Sequence, residues 1–146
     1  MAEEASIERR CWRYSSDRTP SMPVTEVVMM TLDRRISYPI GGGVARVEVD
    51  TGYDGSILIP DWVYYDILHL HLFETPEVGS LETPLGETQV LFSARAIIRI
   101  PLIETQTEVV METFEGCREL LAGRDFINRY KILLDGPKNG ACFDLS

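Results

Sequence analysis

The chain is dominated by short stretches in which apolar and polar residues alternate. The longest runs from Thr88 to Ile100, with Thr88, Val90, Phe92, Ala94, Ala96, Ile98 and Ile100 on one face and Gln89, Ser93, Arg95 and Arg99 on the other. Shorter strands are predicted over Thr25–Leu32, from Ile36 to Ile40, over Val44–Asp50, Ile57–Ile59, Thr107–Met111, Lys131–Leu134 and Ala141–Leu145. Turn residues separate them at Asp33-Arg34-Arg35, Leu81–Glu87, Glu115-Gly116 and Asp135–Gly140. Helical spacing occurs twice. After Pro60-Asp61, Val63, Ile67 and Leu70 fall at i, i+4 and i+7, predicting a helix over 61–72; Phe126, Ile127 and Tyr130 predict another over 124–130. Many short strands with two short helices predict a mostly β domain, a closed β-barrel. Residues 1–23 show neither period and carry Pro20 and Pro23. They read as a flexible or loosely docked extension, partly ordered if Trp12 and Tyr14 pack locally, ahead of one domain over 24–146.

Composition narrows the class of function. With 146 residues, 45% hydrophobic and 25% charged, the chain has the size and balance of one globular domain. No apolar run approaches the roughly 20 residues that cross a bilayer. The start also lacks a signal-peptide core, so the cytoplasm is the expected location and no membrane partner is expected. The net charge of −9 is unevenly placed: residues 1–35 hold six basic and six acidic groups, residues 36–146 eight against 17. An acidic body repels phosphate backbones, which argues against nucleic acid as a partner. Arg9, Arg10, Arg13 and Arg18 read as a solvated tail. Cys11, Cys117 and Cys142 are odd in number with no C-x-x-C pair, so reduced thiols are expected and no zinc site is indicated.

The stretch from Val47 to Pro60, V-E-V-D-T-G-Y-D-G-S-I-L-I-P, holds the candidate chemistry. Val47 and Val49 share a face, and Asp50 stands where strand gives way to a turn cluster that ends in the strand Ile57–Ile59. Strand, tight turn and strand hold one carboxylate at a fixed height, and Gly52 leaves room for a second backbone to approach. The plainer reading is a hairpin whose Asp and Gly serve only the turn. Gly41-Gly42-Gly43 is no phosphate cradle, since no G-K-[S/T] and no helix follow. His69 and His71 have metal-ligand spacing but no third ligand, so no metal or cofactor is predicted. Cys117 has no nearby histidine in sequence and reads as a small buried residue.

V-x-V-D-T-G-x-x-x-S before an apolar run, with Leu121-Ala122-Gly123-Arg124-Asp125 far downstream, resembles the two signatures of the retropepsin-like aspartic proteases. The resemblance covers about residues 24–146 and implies the closed barrel of that family. It also implies that Asp50 is the catalytic carboxylate, that Thr51 bonds across a dimer axis, and that Gly52 lends backbone to substrate. Tyr53 and Asp54 would lie on the substrate side, with Asp54 paired to Arg124 beside Gly123 as a brace. Pro84, Leu85 and Gly86 would form the flap, with one glycine where retroviral flaps have several; Tyr53 stands where those enzymes carry a small residue. The chemistry needs two carboxylates sharing a proton, and the chain holds one D-T-G. The resemblance therefore implies a homodimer acting on a peptide or protein, with Thr51 and the terminal strand 141–145 at the seam. The alternative is a non-catalytic peptide-binding or assembly module with the same fold.

Overall fold

The computed structural model describes residues 9–17, 21–73, 77–82 and 86–144. It is mostly β. β1 (Arg9–Arg13) opens the chain, followed by β2 (Val24–Met30), the short β3 (Ser37–Tyr38), β4 (Ala45–Val49) and β5 (Ile57–Leu58). β6 (Glu77–Glu82) and β7 (Thr88–Ile100) form an antiparallel pair, and β8 (Thr105–Thr113) runs back along β7. β9 (Leu121–Ala122), helix α1 (Arg124–Ile127), β10 (Ile132–Asp135) and β11 (Gly140–Asp144) complete the order.

Eight strands form one sheet in the order β3-β2-β4-β9-β5-β8-β7-β6, and β2 also pairs with β7. The hydrogen-bonded path β2-β4-β9-β5-β8-β7 therefore returns to β2. The alternating face of β7 supplies the core: Ala94, Ala96, Ile98 and Ile100 are buried there with Val27, Met29, Val47, Met111 and Phe126. Their opposite neighbours Arg95 and Arg99 are exposed, as a half-buried strand requires. Among the described residues no helix is long and apolar enough to cross a membrane.

Local structure departs from expectation over 61–72. A π-helical turn (Val63–Ile67) stands where an α-helix is predicted, closed by Leu68 N–H to Val63 O at 2.9 Å. The wider turn moves the buried face from Val63, Ile67 and Leu70 to Val63, Tyr64, Leu68 and Leu70. His69 then takes a left-handed φ of 49° and a short 3₁₀ turn (Leu70–Leu72) follows.

The ends of the chain differ more. β1, β11 and β10 form a second sheet with β11 in the middle. The terminal strand therefore offers no open edge for a second copy, because β1 fills one side and β10 the other. Residues 9–13 are a paired strand rather than a loosely docked extension. Trp12 is buried with its ring 4.6 Å from that of Phe143. Arg46 ties β1 and β2 to β4, donating to Arg13 O at 2.5 Å and to Glu26 Oε2 at 2.6 Å. Cys11 lies opposite Cys142 in the β1–β11 register, and the two form a disulfide instead of the reduced thiols expected.

That bond closes a loop of 131 residues between the chain ends. Reduction, or Cys11→Ser, is expected to lower the urea-unfolding free energy by about 2–4 kcal/mol. Equal unfolding midpoints with and without reductant would show that pairing and the Trp12–Phe143 contact alone hold β1.

Candidate active site

The two motifs meet at β9. β4 runs parallel to it (Glu48↔Leu121, Val49↔Ala122), and β5 runs antiparallel on its other side (Ile57↔Ala122, Leu58↔Leu121). The loop 50–56 must therefore span β9, and its carbonyls need partners there. They find them at the start of α1, where backbone N–H groups have no helical acceptor. Gly123 N–H donates to Ser56 O at 2.8 Å, Arg124 N–H to Tyr53 O at 2.8 Å, and Asp125 N–H to Gly55 O at 3.2 Å. Ala122 O in turn accepts Asp50 N–H at 2.9 Å. Asp50 is thereby fixed to β9 before its side chain does anything.

The Asp50 carboxylate is half-buried. Its Oδ1 accepts the Gly52 N–H at 2.8 Å, an Asx turn that sets the side-chain rotamer. Oδ2 has no hydrogen-bond partner among the described residues, and no second carboxylate is bonded to Asp50 there. Thr51, Gly52 and Asp54 are exposed around it. The D-T-G segment thus presents one anchored and one open carboxylate oxygen toward the surface.

Gly123 shows why the second motif needs glycine. A Cβ there would lie 2.6 Å from Tyr53 Cδ2 and 2.7 Å from Tyr53 O. A side chain and this loop cannot share that space.

Other predicted residues are placed differently. Asp54 and Arg124 are both exposed, and no ion pair joins them among the described residues. The brace runs through the next residue, Asp125. Its Oδ2 accepts the Ser56 hydroxyl and Arg129 Nη2, the latter at 3.1 Å. Arg129 Nη1 also reaches Glu108 O at 2.6 Å, tying the loop to β8. Tyr53 faces inward: it is buried and its hydroxyl donates to Glu112 Oε1. It is thus no part of an open substrate surface. Gly86 is exposed with φ 79°, while Pro84 and Leu85 lie outside the described residues.

Sequence reasoning passed over Glu112, Arg129 and the bracing role of Asp125. Ser56 stood in the first motif and Asp125 in the second, so their meeting was the one signal available. The His69 and His71 rings lie 6.3 Å apart, with His71 5.1 Å from Tyr65. Among the described residues no three His, Cys, Asp or Glu gather as a metal site. Cys117 is buried, which pushes its thiol above the ordinary range and keeps it a poor nucleophile.

Gly123→Ala is expected to destabilise the fold by about 1–3 kcal/mol, because the backbone of Tyr53 cannot yield as a flexible side chain would. Gly136→Ala, where a Cβ meets nothing within 4 Å, is the control and should shift stability by less than about 0.5 kcal/mol. Equal thermal midpoints for the two variants would contradict the packing described.

An uncharacterized protein of Archaeoglobus fulgidus is similar to this chain, 28% identical over 113 residues that span 77% of this chain and 86% of the relative. No family profile matches the chain, and no solved structure matches it.

Proposed function

We propose that this chain is a retropepsin-like aspartic endopeptidase, its returning strand path read as that family's closed barrel. The active form is a homodimer in which each subunit supplies one Asp50. The observation that carries this is the Asp50 carboxylate itself: Oδ1 is held by Gly52 N–H while Oδ2 is open, on a loop whose exposed Thr51 and Gly52 leave room for a second copy.

Across the two-fold axis the two carboxylates hold one proton between them, since like charges so close do not both ionise. The charged one takes a proton from a water, whose oxygen bonds to the peptide carbonyl carbon; the neutral one protonates the carbonyl oxygen. Collapse of the tetrahedral species breaks the C–N bond, and the amine leaves with a proton returned from the pair. Thr51 bonds across the axis and Gly52 holds the backbone of an extended peptide. The β6–β7 hairpin, with Gly86 between its strands, covers the peptide. Contact between the subunits is centred on the Thr51 loops, because the edges of β11 are already paired.

Incubated with denatured protein between acidic and neutral pH, wild type should cleave and Asp50→Asn should be slower by at least about 100-fold. No cleavage by either at any protein concentration would favour the non-catalytic module. Two subunits of charge −9 repel each other. The dimer should therefore tighten as salt rises from about 0.01 M to about 1 M, where the screening length falls from about 30 Å to about 3 Å. Sedimentation equilibrium showing monomer throughout would contradict the homodimer.

A further inference from the structure

Tyr53 is the residue after D-T-G, between exposed Gly52 and exposed Asp54, yet only 7% of it is accessible. Backbone encloses its ring on two sides. A Cβ on Gly123 would lie 2.6 Å from Tyr53 Cδ2, and one on Gly55 would lie 2.5 Å from Tyr53 Cζ. Two glycines thus leave the space the ring occupies.

The main chain of Tyr53 is pinned as well. Its N–H donates to Asp50 O at 3.3 Å and its carbonyl accepts Arg124 N–H at 2.8 Å. Its hydroxyl donates to Glu112 Oε1. Glu112 is a firm anchor: it lies in β8 opposite Ser93, and its carbonyl accepts Ile59 N–H at 3.0 Å. Burial, and then the bond to the Glu112 carboxylate, hold the phenol far above its ordinary range, so it remains a donor at neutral pH. Leu91 of β7 packs in the same buried cluster. Phenylalanine would fill this space equally well; the hydroxyl adds direction, and one hydrogen-bonded turn separates it from Asp50.

We infer that the Tyr53–Glu112 hydrogen bond fixes the attitude of the D-T-G turn, and with it the Asp50 carboxylate. Tyr53 is then a positioning residue and Glu112 its anchor. For turnover this rests on Asp50 being catalytic; for the order of the loop it does not.

Tyr53→Phe keeps the ring and removes the donor. Hydrogen exchange of the Gly52 amide, bonded to Asp50 Oδ1, should speed up by about tenfold, with β2, β7 and β8 unchanged. On a peptide substrate kcat should fall by about 10- to 100-fold with KM within about threefold, as a misplaced catalytic group does. Glu112→Gln keeps an acceptor and should stay near wild type, while Glu112→Ala should match Tyr53→Phe. The double variant Tyr53→Phe/Glu112→Ala should be no worse than either alone. Wild-type Gly52 exchange in Tyr53→Phe overturns the inference, and so does faster exchange spread evenly across the sheet, the mark of a space-filling role. If the wild-type protein cleaves nothing, the peptidase reading falls and the exchange comparison alone decides this one.

Discussion

Three consecutive N–H groups, those of Gly123, Arg124 and Asp125, hold three carbonyls of the loop 50–56. Everything that makes the loop a candidate site depends on that capture. A seven-residue connection between two strands that flank the same β9 cannot satisfy its own backbone. The start of α1 carries the donors a helix leaves unused. Each feature's weakness is met by the other, and the need for Gly123 follows from the closeness of the fit. Around this backbone frame the side chains add a second layer, Ser56 to Asp125 to Arg129 on one side and Tyr53 to Glu112 on the other.

Much of this was legible in the sequence where a period applies. The shared face of Val47 and Val49 is buried as the alternation predicts, and so are Ala94, Ala96, Ile98 and Ile100 of β7. Over the first residues of β7 the face is inverted: Thr88 and Val90 are exposed and Leu91 is buried in the cluster of Tyr53. The two motifs, far apart in the sequence, do meet across β9. Periodicity fails where structure is set by distant partners. R-R-C-W-R has no apolar alternation, and β1 forms because β11 offers it an edge, a cysteine and the ring of Phe143. That pairing is also why the terminal strand is not an edge.

Side-chain direction in a turn follows no period either. Tyr53, next to D-T-G, was expected on the substrate side from the resemblance, and it turns inward because Gly55 and Gly123 leave it space. The Asp54–Arg124 pair was expected from the family resemblance. The chain instead uses Asp125, whose backbone is already docked on Gly55. An exposed ion pair contributes about 0–1 kcal/mol. A carboxylate on a docked backbone, accepting from a buried serine, is the more effective brace.

The central claim is that one chain holds half a site. It is tested most directly by mixing wild type with Asp50→Asn at constant total protein, allowing subunits to exchange, and measuring peptide cleavage. If each site needs Asp50 from both subunits, an equal mixture retains about a quarter of the wild-type rate, because only wild-type pairs are competent. A rate that falls in simple proportion, to about half, would mean that each chain works alone and would contradict the account.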